Sequence, residues 1–114
     1  MKHVLVVDDE PAIRALVVAS LESSDCAVET VADGAGAFAS LETQRPDLIL
    51  LDVGLPGMNG AEVARRLREN RATAAIPIVL LTGLEPPETA LSDGVLRKPF
   101  TPALLRASIA GWLS

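Results

Sequence analysis

Residues 46–60 read Pro46-Asp47-Leu48-Ile49-Leu50-Leu51-Asp52-Val53-Gly54-Leu55-Pro56-Gly57-Met58-Asn59-Gly60, and they constrain the fold more than any other stretch. Four large apolar residues run directly into a carboxylate, and a turn rich in Gly and Pro follows. Such a run reads as a strand buried on both faces, with Asp52 carried to its carboxyl end. In an open α/β sheet, ligands and chemistry collect at that edge. Asp52 is therefore the candidate chemical centre.

The rest of the chain alternates strands with helices. Val4-Leu5-Val6-Val7 is a short buried strand ending at Asp8-Asp9-Glu10-Pro11. Pro11 suits the first turn of a helix, where its missing N–H is not needed. From Ala12 to Ser23, Ile13, Leu16, Val17 and Leu21 form a core stripe at helical spacing. The opposite face carries Ala15, Val18 and Ala19, so it either makes a second contact within the protein or docks a partner. Residues 27–32 mix polar and apolar side chains, as an edge strand does. After the turn at Asp33-Gly34, a short helix over Ala35–Thr43 has Ala37, Phe38 and Leu41 as its buried positions. Asn59 and Glu62 make a capping-box pattern for a third helix. There Val63, Ala64 and Leu67 face inward, and Arg65, Arg66, Arg68 and Glu69 form the solvated face. Ile76–Leu81 is a fourth strand, with Pro77 tolerable only near its start. Val95-Leu96-Arg97 is a brief fifth strand. Thr101-Pro102 supplies the N-cap and first residue of a last helix through Leu113, with Leu104, Leu105, Ser108, Ile109 and Trp112 on one side.

This order implies right-handed crossovers and a parallel sheet covered on both faces. The 114 residues suffice for one core, and with no repeat or linker they read as a single domain, 1–114. Hydrophobic residues make up 49% and charged residues 22%, which excludes a disordered chain. A formal charge of −5 and the lack of a basic patch predict no direct nucleic-acid binding. Nothing resembles a signal peptide, and no apolar run approaches the roughly 18–20 residues of a bilayer span, so a cytoplasmic protein without a membrane segment is expected. The single Cys26 excludes an internal disulfide and a Cys-rich zinc site, and it reads as a small apolar filler. His3 reads as a surface residue, and Trp112 as a cover for core.

Four strands each end in a polar residue: Asp8-Asp9, Asp52, Thr82 and Lys98. One such end is usually a solvated strand terminus, but four on one edge form a constellation. Carboxylates sharing a small cleft raise one another's pKa unless a cation compensates. A hard divalent ion with oxygen ligands, such as Mg²⁺, is the simple compensation. Lys98 adds a compact charge suited to a phosphoryl oxygen, and Thr82 adds a hydroxyl donor. A carboxylate nucleophile, a cation site, a lysine and a hydroxyl are the parts needed to receive a phosphoryl group.

With Asp8-Asp9-Glu10-Pro11, the Asp52–Gly60 run, Thr82-Gly83 and Lys98-Pro99-Phe100 in this order, the chain resembles the receiver domains of bacterial two-component response regulators, a CheY-like superfamily, over nearly its whole length. The resemblance implies a flavodoxin-like, doubly wound, five-stranded parallel sheet of order 2-1-3-4-5. It implies that Asp52 accepts a phosphoryl group from a histidine kinase or histidine phosphotransfer protein. Asp8, Asp9, Asp52 and the backbone carbonyl of Gly54 would hold Mg²⁺. Thr82 would bond the phosphoryl oxygen, Lys98 would neutralise its charge, and Lys98-Pro99 would be cis.

The chain departs from the family pattern at its output side. The segment from Thr82 to Lys98 is short and contains Pro86-Pro87, so the fourth helix is expected to be shortened or missing. Val95 stands where the family commonly has Tyr or Phe, so no ring is present to move with Thr82. Gly54 opens the site mouth, which predicts easier water access to the phosphoryl group. The leading function is thus a phosphoaccepting receiver that relays a signal to an effector the sequence does not name. It is no enzyme beyond its own phosphorylation and dephosphorylation. The alternative is a phosphorylation-independent adaptor. A Mg²⁺-dependent phosphohydrolase lacks a general base for water and loops to enclose a substrate.

Overall fold

The apolar runs pair as parallel strands, in a computed structural model that describes residues 1–22, 25–83 and 91–113. The elements in chain order are β1 (Lys2–Val7), α1 (Pro11–Leu21), β2 (Cys26–Val31), α2 (Gly34–Leu41), β3 (Leu48–Asp52), α3 (Gly60–Glu69), β4 (Ile78–Thr82), β5 (Gly94–Arg97) and α4 (Pro102–Leu113). All strand pairs are parallel, and the spatial order is β2-β1-β3-β4-β5. The two runs without polar interruptions, β3 and β4, are buried at all five positions each. The mixed run of β2 lies at one edge and the four-residue β5 at the other. Pro77 sits just outside β4, where only its carbonyl is used, as acceptor for the Ile49 N–H at 3.0 Å.

Alternation along the strands builds two cores. Val4, Val6, Leu48 and Leu50 face α1 and α4, packing with Val17, Leu21, Leu105 and Ile109. Leu5, Val7, Ile49 and Leu51 face α2 and α3, packing with Ala37, Val63, Ala64 and Leu67. Three of the helices start on a side chain that satisfies a free backbone N–H. Asp33 accepts from the Gly36 N–H at 2.7 Å, Asn59 from Glu62 N–H at 3.0 Å, and Thr101 from Leu104 N–H at 3.1 Å. Pro11 opens α1 as expected, after Glu10 at the cap.

Several sequence expectations need correction. The Ala15, Val18 and Ala19 face of α1 is solvent-exposed rather than covered by a second layer of the described residues. Only half of the capping box forms: Asn59 caps α3, while Glu62 turns outward to Arg65 and Arg66. Arg68 is not on a solvated face, because its guanidinium is tied to backbone carbonyls beyond α3. On α4, Leu105 and Ile109 are buried, but Leu104 is 48% and Trp112 38% exposed, and Ser108 is exposed too. The helix packs beside α1 against the sheet face through Leu105 and Ile109, a stripe narrower than the apolar spacing suggests.

The Lys98–Pro99 peptide is cis. Between β4 and β5 the described residues include no helix, and the expected remnant around Pro86-Pro87 lies outside the described residues. Among the described residues, no helix is long and apolar enough to cross a membrane.

Candidate functional site

β1, β3 and β4 end side by side, and β5 ends next to β4. Their carboxyl ends deliver Asp8, Asp52, Thr82 and Lys98 to one edge. Asp8 follows β1 and is fully buried, held there from three sides. Its N–H donates to Val31 O at 3.1 Å, its Oδ1 accepts from the Glu10 N–H at 2.9 Å, and its carbonyl accepts from Arg14 Nη1 at 2.9 Å. Asp52 closes β3 with its side chain 8% exposed, and its Oδ1 accepts from the Gly54 N–H at 3.2 Å. Thr82 closes β4 and is buried, and its carbonyl accepts from the Lys98 N–H at 2.8 Å.

Lys98 is the hub. Its Nζ lies 2.8 Å from Asp8 Oδ2, 3.0 Å from Glu10 Oε1 and 3.4 Å from Asp52 Oδ1. Burial works against the ammonium's charge. Contacts with Asp8 and Glu10, and the fields of Asp8 and Asp52, outweigh it and hold the lysine pKa above its usual value. Burial pushes the Asp52 carboxyl upward. The Gly54 N–H pulls it back, Asp8 adds to the rise and Lys98 opposes it, and the net shift is up. Asp8 Oδ2 is fully buried and has no directed hydrogen bond, only the charge-to-charge contact with Lys98.

Asp8, Glu10 and Asp52 each place a carboxylate oxygen within 4.8 Å of the others, a grouping that could hold a metal ion. Asp9 is exposed and lies outside this group. Glu10 joins the group through an oxygen close to Lys98 Nζ, and Asp9 stands next to it in the chain, on the loop that leaves β1. Glu10 is extended, with φ −87° and ψ 114°, and its side chain stays 58% exposed at the rim of the site. Gly60 also escaped notice as a site residue. A Cβ there would lie 2.3 Å from Asp52 O and 2.8 Å from Val53 Cα, so α3 can begin this close to the acceptor only with glycine. Its signal is a Gly directly after a helix cap, where a better helix former is usual. Gly54 is open, and an added Cβ would meet only Asp52 Oδ1, at 4.0 Å.

A family profile described as the response regulator receiver domain matches residues 4–110. The chain belongs to that family. The alkaline phosphatase synthesis transcriptional regulatory protein PhoP of Bacillus subtilis is 38% identical over 114 residues, which cover 95% of this chain and 47% of that protein. The chain thus spans about half the length of the curated relatives it matches. Among solved structures, the chemotaxis response regulator CheY4 of Vibrio cholerae superposes with a TM-score of 0.90 at 35% identity, covering 99% of both chains. The receiver domain of sensor histidine kinase PA1611 from Pseudomonas aeruginosa, with a magnesium ion coordinated in its active-site cleft, superposes with a TM-score of 0.87 at 34% identity, covering 98% of this chain and 97% of that one. The five-stranded order and the receiver assignment agree with the sequence expectation. The expectation of no nucleic-acid contact gains no support, because PhoP is a transcriptional regulator.

Proposed function

We propose that this receiver domain takes a phosphoryl group onto Asp52 and passes the resulting signal to a partner protein. The observation that carries this is the position of Lys98 Nζ, in contact with Asp8 and 3.4 Å from Asp52 Oδ1. A cation held against the acceptor oxygen by a second, buried carboxylate is placed to neutralise a phosphoryl group arriving there. An Asp52 oxygen attacks phosphorus in line with the leaving group, and an acyl phosphate forms as the old bond breaks. From a phosphohistidine the P–N bond electrons return to the imidazole, which takes up a proton. The Thr82 hydroxyl donates to a phosphoryl oxygen, and Lys98 stays as its counter-ion. Later attack by water returns Asp52 and inorganic phosphate, so the domain catalyses only its own modification and its reversal.

The donor set also fits Mg²⁺. Carboxylate oxygens of Asp8, Glu10 and Asp52 are hard ligands within 4.8 Å of one another, and Asp8 Oδ2 is buried without a directed hydrogen bond. Asp8 and Asp52 would hold the ion, with Glu10 or Asp9 and the Gly54 carbonyl completing the protein's share. When bound, the ion supplies positive charge against carboxylate and phosphoryl oxygens together. A histidine kinase or histidine phosphotransfer protein is the protein donor we infer, and a cytoplasmic setting accords with it.

The test is to incubate the protein with Mg²⁺ and acetyl phosphate and weigh it intact. The expected result is a single phosphoryl adduct, lost in Asp52→Asn. No adduct with acetyl phosphate or any phosphohistidine donor sinks the proposal in favour of a phosphorylation-independent adaptor.

A further inference from the structure

Arg68 lies near the end of α3, at the amino ends of β4 and β5 and so opposite the Asp52 edge. Its side chain is 19% exposed and every guanidinium nitrogen is engaged. Nε donates to Leu91 O at 2.8 Å, Nη1 donates to both Ala74 O and Ile76 O at 2.8 Å, and Nη2 pairs with Asp93 Oδ2 at 2.6 Å. Asp93 Oδ2 also accepts the Ile78 N–H at 2.8 Å, while Asp93 N–H donates to Ile78 O at 2.7 Å. Residue 93 is thus clamped to the first residue of β4 from both sides, and the rigid arginine fork holds the clamp. From there the register runs Val79↔Gly94, Leu80↔Val95, Leu81↔Leu96 and Thr82↔Arg97, and the next residue is Lys98.

At the amino end of β5 this clamp is the contact that ties the strand to β4; at its carboxyl end the Lys98 N–H bonds Thr82 O at 2.8 Å. β5 is four residues long, lies at the sheet edge, and buries one side chain, Leu96. A slip by one residue would exchange its faces and turn Lys98 away from Asp8 and Asp52. Resting on the proposal for Asp52, we infer that Arg68 is a positioning residue for phosphoryl transfer: through Asp93 it fixes the register of β5 and so the place of Lys98. It acts from the far end of the sheet and touches no reacting atom.

The test compares Arg68→Met, Lys98→Met and the double variant by the rate of adduct formation from acetyl phosphate. Arg68→Met is expected to slow the reaction about tenfold when Lys98 is present, and less than about twofold when Lys98 is already gone, the non-additivity of residues acting as a unit. Equal factors in both backgrounds overturn the proposal, because a general loss of structure would lower both alike. If Arg68→Met does not fold, Asp93→Asn decides: its amide oxygen still accepts from Ile78, but the ion pair is lost, and a smaller loss with the same dependence on Lys98 is expected. A readout independent of phosphorylation is hydrogen exchange at the Lys98 amide, bonded to Thr82 O. Its protection is expected to fall in the variant while β1 amides keep theirs. A uniform fall, or none, overturns the proposal even in a protein that accepts no phosphoryl group.

Discussion

Lys98 Nζ stands 2.8 Å from the fully buried Oδ2 of Asp8, an oxygen with no directed hydrogen bond of its own. The pair is a buried charge held by one counter-charge, so removing the lysine strands a carboxylate rather than merely deleting a contact. Lys98→Met is expected to lower unfolding free energy by about 3 kcal/mol in EDTA, read from urea titrations. Saturating Mg²⁺ is expected to restore much of the loss, since a ligand that binds only the folded state stabilises it by about 2.7 kcal/mol at a hundredfold excess over Kd. A variant as stable as the parent in EDTA would show that Lys98 is not what compensates Asp8.

The raised pKa of Asp52 has a defined consequence for stability. The folded protein holds the Asp52 proton to higher pH than the unfolded chain does, chiefly because burial disfavours the carboxylate. Between the unfolded and folded pKa values the native state therefore binds more protons, and stability falls as pH rises through that window. Asp52→Asn removes a charge that is unfavourable above it. In EDTA at pH 7 the variant is expected to melt higher than the parent, by about 4 °C if the gain is near 1 kcal/mol. The difference should vanish near pH 3, where Asp52 is protonated in both states. Equal melting temperatures at pH 7 would overturn this.

Strand placement was readable because β3 and β4 are buried on both faces, so their residues could be nothing but apolar until the polar end is reached. The four polar ends then followed from parallel strands sharing one carboxyl edge. What could not be read depends on distant partners or backbone angles. Arg68 looks like any charge on a helix, and its partners at residues 74, 76, 91 and 93 meet it only once β4 and β5 are paired. Glu10 comes near Lys98 and Asp52 only because the turn before α1 carries it back over the site, which spacing alone does not reveal. The spacing of Leu104 and Trp112 with Ile109 marks a helix face but not its breadth of cover.

Gly60 couples α3 to the acceptor strand through backbone rather than side chain. Its N–H donates to Val53 O at 2.9 Å, and a methyl group there would sit 2.3 Å from Asp52 O. Neither atom can move without shifting Asp52. Gly60→Ala is expected to cost about 2 kcal/mol and to slow adduct formation at least tenfold. Gly57, at φ +74° with nothing within 4 Å of its would-be Cβ, is the control. Gly57→Ala is expected to cost about 1 kcal/mol of backbone strain and to leave the phosphorylation rate unchanged. Similar kinetic losses in both would remove the special role of Gly60.

Gly54 puts no side chain over the acceptor, as a Cβ there would have only Asp52 Oδ1 near, at 4.0 Å. Water therefore has a path to an acyl phosphate formed there. Gly54→Met is expected to lengthen the half-life of the adduct several-fold, measured by intact mass after the phosphodonor is removed. An unchanged half-life would mean that access at this position does not limit hydrolysis.

Val18 is 37% exposed in the apolar strip of α1 with Ala15 and Ala19, and α1 follows directly from the Asp8 loop. A protein donor that brings its phosphohistidine to Asp52 must rest on surfaces around that edge, and this strip offers exposed apolar area there. Acetyl phosphate needs no such surface. Val18→Asp is therefore expected to cut phosphotransfer from a histidine donor at least tenfold, a cost of about 1.4 kcal/mol for a buried charge at the contact. The acetyl phosphate rate and the melting temperature should stay at the parent's values. Loss of both reactions would place the defect in the acceptor site, and loss of neither would move the donor contact to another face.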